Sequence, residues 1–313
     1  MGFPGGKIFM KQIWLRLKPY LRWVILGGAL FFLAKALKDR WQEVAAIRID
    51  GAGWISLAIA LSLTLIAHIW AGWVWSWILQ SFKQPVKRRW AIQVYLKTNL
   101  AKYLPGNVWH FSGRIWAVTN VGGSLGAATV SVLLEPLLMA AAALLIALLG
   151  TQQQNWGLQA LSLAVILLGI HPRILNLIIQ LFSRLKGKAT DAAVFQIKHY
   201  PLLPLLGELV FLGLRGTGFL FTLLALTSVS SSQTALVFSA FSFAWLLGLI
   251  IPGAPGGIGV FEATAIALLD KHFSGGLLLS AVALFRLVSI LAEALAALLA
   301  TLSDRLWDES VSS

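Results

Sequence analysis

Pro252-Gly253-Ala254-Pro255-Gly256-Gly257-Ile258-Gly259-Val260-Phe261-Glu262 follows an uninterrupted apolar run, 234–251, and precedes a short one, 263–269. Two prolines and four glycines within eight residues exclude a continuous helix here. Irregular backbone at membrane depth survives only where it is buried in protein or lines a water-filled cavity, because lipid offers its polar groups no partner. An acid, Glu262, follows at once. A helix broken in this way inside an apolar chain is the sequence pointer to a transporter binding site.

The surrounding composition agrees with a bilayer setting. The chain has 313 residues, 58% hydrophobic and 12% charged, with a mean hydropathy of +0.80. A soluble domain carries about 25% charged residues, so roughly half the usual charge is missing. Several apolar runs reach the ~18 residues that span hydrocarbon. The expectation is an all-α polytopic membrane protein. It has about seven transmembrane helices (21–37, 54–81, 125–149, 157–170, 200–225, 234–251 and 277–303) and two re-entrant or broken helices in an internal repeat. The length leaves no room for a separate soluble domain.

The formal charge of +13 would suggest nucleic acid in a soluble protein. Here the bases sit beside apolar spans, as cytoplasmic loops do, and no nucleic-acid partner is expected. Residues 1–20 form a basic segment read as cytoplasmic, ahead of a single membrane domain over 21–303 and a tail, 304–313. Ala34-Lys35-Ala36 resembles a cleavage site, but lysines inside that zone point to an anchor rather than a removable signal. Zero cysteines exclude disulfides and thiolate chemistry within the chain. The five histidines show no ligand spacing, so no metal and no cofactor are expected. His110, near Ser112 and Arg114, reads as a cap or turn residue.

Trp70, Trp73 and Trp77 share one face near the inner end of the second span, as an aromatic belt does. Lys83, Lys87, Arg88 and Arg89 mark a return to the cytoplasm. Residues 90–103 carry Gln93, Lys97, Asn99 and Lys102, too polar to face lipid. They lead into Leu104-Pro105-Gly106-Asn107. If 90–110 dips in and returns, the basic stretch 184–198 falls inside and the uncharged loop 150–156 outside, which charge favours. Between 172 and 186, polar residues recur every three or four positions, giving an amphipathic interfacial helix.

Two segments, roughly within 54–150 and 200–303, look alike. Each has a Pro-Gly break followed at matched distance by a lone charge: Pro105 precedes Glu135 by 30 residues, and Pro255 precedes Arg286 by 31. Whether the repeats are parallel or inverted turns on whether 256–270 crosses the membrane, which the charges leave open. Glu135, Glu208, Arg215, Glu262, Arg286 and Glu293 lie inside apolar runs, and Arg114 lies beside a break. Facing lipid, six such charges would cost on the order of 15–20 kcal/mol. They must pair, face the interior or line water. Glu208 and Arg215, seven apart, are separated by about 10 Å along a helix, so partners are expected on other helices, with Glu135–Arg286 a candidate pair. Glu208 and Glu293 suit a register-fixing role as readily as a functional one.

The sequence resembles the flippase-like transmembrane family of the lysylphosphatidylglycerol synthases. The likeness rests on Asn99 through His110 with Gly113-Arg114, on Ser131-Val132-Leu133-Leu134-Glu135, on His171-Pro172-Arg173, and on Pro252 through Glu262 with Arg286. The resemblance implies a non-enzymatic lipid flippase of the cell membrane. Its partners would be membrane lipids with an anionic phospholipid or glycolipid head group, and a lipid-synthesising or glycosyltransferase protein. It implies no aminoacyl transfer, because the synthase domain is not in this sequence. The expected lipid-binding residues are Pro105, Gly106, Asn107, Arg114, Glu135, Arg215, Pro255, Gly256, Gly257, Gly259, Glu262 and Arg286. A lipid-binding accessory protein that moves nothing, and a membrane-embedded lipid transferase, are the rival readings.

Overall fold

The computed structural model describes residues 38, 41–46, 48–104, 108–149, 156–185, 197–251 and 255–312. The basic N-terminal segment, the expected span 21–37, Pro105, Gly106, Asn107 and the start of the opening motif lie outside the described residues. Among the described residues every regular element is helical. In chain order they are α1 (Trp41–Ala46), α2 (Gly51–Ser81), α3 (Arg88–Asn99), a 3-10 turn (Leu100–Tyr103), α4 (Trp109–Asn120), α5 (Leu125–Leu149), α6 (Trp156–Gly169), α7 (Pro172–Leu185), α8 (Leu202–Leu224), α9 (Ser231–Ile250), a second 3-10 turn (Pro255–Gly257), α10 (Val260–Leu269) and α11 (Gly275–Ser312).

Five of these, α2, α5, α8, α9 and α11, are long and apolar enough to cross a membrane. Their outward faces carry large apolar side chains: Trp54, Ile55 and Ile66 on α2, Leu203 and Leu206 on α8, and Leu287, Leu291 and Leu298 on α11 are all exposed. Water would not tolerate so broad an apolar surface, and lipid does. The chain is a multi-pass helical membrane protein. The expected span at 157–170 is the 14-residue α6, about 21 Å long and short of the ~30 Å hydrocarbon core. The amphipathic α7 forms where its polar spacing placed it, and Asn176 pins the returning chain through both the N–H and the carbonyl of Ile197.

Glycine and alanine set the close helix contacts, as expected where lipid removes the hydrophobic drive between helices. α2 and α8 run antiparallel. A Cβ at Gly207 would stand 2.5 Å from Val74, one at Gly218 would stand 3.1 Å from Thr64, and one at Gly53 would stand 2.7 Å from the Ala225 carbonyl. α2 starts at Gly51 rather than at 54 because the Asp50 carboxylate accepts the Gly53 N–H at 2.7 Å, an N-cap. Phe219 (α8), Phe241 (α9), Phe261 (α10) and Phe285 (α11) pack ring on ring at 5.3–6.0 Å, and this aromatic knot ties the second half together.

Side-chain contacts fix which helix ends share a side. Gln84, ahead of α3, accepts the N–H of Ser124, which follows α4, at 2.8 Å. Arg89 and Gln93 on α3 donate to Ser303, near the far end of α11, at 3.1 and 2.9 Å. Toward the opposite end of the bundle, Leu57, Ala60, Ala225 and Val288 cluster, with Leu284 packed against them.

Candidate functional site

Glycines 256, 257 and 259 hold φ of +59°, +72° and +87°, a left-handed region that side chains with a Cβ avoid. Gly256 also has no room for one, since a Cβ would meet the Tyr103 ring at 2.9 Å; at Gly257 it would meet the Gly248 backbone at 3.2 Å. The glycine run therefore does two things. It turns the chain, and it lets the Pro255–Gly257 turn lie against both α9 and the Leu100–Tyr103 turn. The two 3-10 turns touch.

Glu262 explains the end of the motif. It sits three residues into α10, and its Oε2 accepts the Gly259 N–H at 2.5 Å, closing one orphan donor of the helix start. Its Oε1 takes Nε and Nη2 of Arg286 at 2.7 and 2.5 Å. Arg286 Nη1 then donates to the Gly256 carbonyl at 3.0 Å. One arginine thus binds the break and the helix that follows it. Gly259 therefore offers no free N–H to a ligand, because the acid that the motif itself supplies occupies it.

In the other half, Arg114 on α4 donates through Nη1 to Glu135 Oε2 on α5 at 2.6 Å. Tyr95 donates its hydroxyl to the other carboxylate oxygen at 2.7 Å, and the guanidinium lies 3.7 Å over the Tyr95 ring. Both charges are buried, at 1% and 3% exposure. The candidate pair Glu135–Arg286 is not formed. Each charge pairs inside its own half of the chain, because the helix after each break folds back beside the next long helix. Polarity is swapped between the two: arginine then glutamate in the first, glutamate then arginine in the second.

Beside the two turns lies a cavity of about 280 Å³, walled by Lys102, His110, Arg215, Trp245, Gly256, Gly257, Phe261 and Arg286 among others. A second cavity of about 100 Å³ adjoins it, sharing Lys102, His110, Pro136 and Trp245 and reaching Arg114 and Glu135. Of the residues expected at the site, Arg114, Glu135, Arg215, Gly256, Gly257 and Arg286 line one or the other cavity. Gly259 and Glu262 stand behind the wall as supports.

Arg215 differs from the other arginines. Its Nη2 donates to Ser289 Oγ at 2.9 Å, while Nε and Nη1 have no partner among the described residues, and it is only 2% exposed. Glu208 was expected to find a partner on another helix. It is fully buried, and neither oxygen is hydrogen-bonded among the described residues. Glu293 does have partners: Lys102 Nζ at 2.6 Å, and His68 Nε2 at 3.2 Å from the same oxygen.

Sequence reading noted Lys102 only as too polar for lipid and gave His68 no role. A lysine just ahead of a break and a histidine within a span are the signals that mark them. His110 is not a cap; Val108 holds that position without a side-chain bond, and the buried His110 Nδ1 has no partner. Trp70 does more than sit in a belt, donating Nε1–H to the Gly207 carbonyl of α8 at 2.8 Å. No protein-family model matches this sequence, and no curated protein is significantly similar to it.

Proposed function

We propose that this protein is a lipid flippase-like transporter of the cell membrane, moving an anionic or glycosylated lipid between leaflets. One observation carries the reading: the Leu100–Tyr103 and Pro255–Gly257 turns meet inside the helical bundle and a charged cavity opens beside them. The head group would pass through that cavity while the acyl chains stay in lipid. The resemblance of the two break motifs to flippase-like domains points the same way, on the motif residues alone.

The finer architecture follows from the helix ends. α3 and α4 have 12 residues each, about 18 Å, and the Gln84–Ser124 bond joins their outer ends. They form a hairpin that enters and leaves on one side, the side of Lys83 and Arg88, cytoplasmic by charge. The Ser303 contacts put the far end of α11 on that side too. α11 therefore starts outside, and α9–α10 is a hairpin entering from the opposite face. Glu135 and Arg286 lie ten and eleven residues into their long helices, ~15–17 Å from opposite ends, so both breaks reach mid-depth. The repeat is inverted. With the spans expected at 21–37 and 157–170, α2, α5, α8 and α11 make six crossings, and α3–α4 and α9–α10 are the two re-entrant elements, so that the expected span 234–251 becomes one arm of the second.

Reconstitution in proteoliposomes with fluorescent lipids tests the transport reading. Expected is scrambling well above empty vesicles, lost in Arg286→Ala and Glu262→Gln. Lipid retained by the purified protein without scrambling would leave an accessory that presents lipid to a glycosyltransferase or lipid-modifying partner. Product formed from lipid and a soluble donor would reveal a transferase instead.

A further inference from the structure

We infer that Arg215 is the anion receptor of the central cavity, and that its ligand is a singly charged phosphate ester. The assignment rests on the head-group site proposed above and narrows it. Three cations line the cavity: Lys102, Arg215 and Arg286. Two are already neutralised, Lys102 by Glu293 and Arg286 by Glu262. Arg114, which lines the adjoining chamber, is neutralised by Glu135. Among the described residues no carboxylate pairs with Arg215; its one hydrogen-bond acceptor is the neutral Ser289 hydroxyl.

Two of its three nitrogens are therefore buried donors without acceptors. A buried charged donor left unmade costs more than the ~1–3 kcal/mol of a neutral one, and no group among the described residues meets it. The rings of Phe285 and Trp245, at 4.7 and 5.2 Å from the guanidinium carbon, hold it in place without consuming its N–H groups. An oxyanion entering the cavity would accept charge-assisted bonds from Nε and Nη1. The net charge of the wall selects for charge: one uncompensated cation takes one negative charge, and a phosphodiester carries one. Volume selects for size, since about 280 Å³ falls at the small end of ligand sites and suits a compact head group.

Calorimetric titration of the full chain in detergent tests this with dihexanoyl phosphatidylmethanol, a minimal phosphodiester lipid, against dihexanoyl phosphatidylcholine and inorganic phosphate. Expected is binding of the phosphatidylmethanol at least tenfold tighter than the zwitterion, with Arg215→Gln erasing that preference and Arg215→Lys keeping part of it. Inorganic phosphate binding as tightly, and depending equally on Arg215, supports the receptor and assigns a soluble ester as its ligand. Equal binding of phosphatidylmethanol and phosphatidylcholine by the unmodified chain overturns the inference, even if Arg215→Gln does not fold. So does a folded Arg215→Gln that keeps the preference. Binding through Arg215 without scrambling would remove the transport reading and leave this one standing. Scrambling that ignores head-group charge and Arg215 would do the reverse.

Discussion

Arg114 and Arg286 solve the same problem with opposite polarity. Each brings a charge into the membrane interior and ends on a carboxylate one helix away. Removing one partner of such a pair leaves the other charge buried alone, which costs about 3–5 kcal/mol, whereas removing both costs far less. Arg114→Leu and Glu135→Leu should therefore each lower the unfolding midpoint in detergent sharply. The double variant should recover much of the loss, and equal additive losses would show that the pair is not coupled. The identity of these charged residues was legible from the sequence, since a lone charge in an apolar run is conspicuous. Their partners were not. Spacing of 30 and 31 residues from the prolines matched Glu135 to Arg286 as equivalents, and equivalence was mistaken for contact. Position along a helix says nothing about which neighbour a face meets, and that depends on how α4 and α10 fold back.

At the scale of elements, the breaks themselves were the clearest part of the sequence, because proline and glycine act on the backbone locally. What the glycines make room for was not legible, since Tyr103 lies more than a hundred residues from Gly256. Gly256→Ala combines a left-handed conformation, costing ~1–2 kcal/mol, with a 2.9 Å approach to the Tyr103 ring. Tyr103→Ala should relieve the second contribution and leave the first. Thermal unfolding of the two single variants and the double should yield a coupling of about 0.5–3 kcal/mol, whereas strict additivity would mean the two turns do not touch. Gly207→Leu makes a related case between α2 and α8. Its side chain would meet Val74 and Trp77 at 2.5 and 3.0 Å, so it should lower the unfolding midpoint by more than Gly213→Leu, which has open space around it.

The inverted arrangement proposed above is a property of the whole molecule, and charge alone left it open because the loop after α10 and the C-terminal tail each hold one Lys or Arg. The structure adds relative sidedness: Gln84 with Ser124, and Arg89 with Ser303, at one end, and Leu57 with Ala225, near the start of α2 and the end of α8, toward the other. The proposed crossing pattern joins these ends with antiparallel α2 and α8. In it, Lys87 and Thr301 share the cytoplasmic side, and Ser228 and Lys271 share the outer side; all four are exposed. A chain with zero cysteines makes the test direct, because each introduced thiol is the sole target. Ser228→Cys and Lys271→Cys should react with a membrane-impermeant maleimide on intact cells, and Lys87→Cys and Thr301→Cys only after permeabilisation. Lys271→Cys is the deciding position. If α9 crossed completely and 256–270 only dipped back from the cytoplasm, the loop at Lys271 would lie on the side of Lys87, the repeat would be parallel, and both breaks would enter from the cytoplasm. Labelling of Lys271→Cys together with Lys87→Cys would therefore dismantle the two-sided cavity on which the transport reading depends. Labelling from opposite sides would leave a head-group site that each hairpin can open toward its own face.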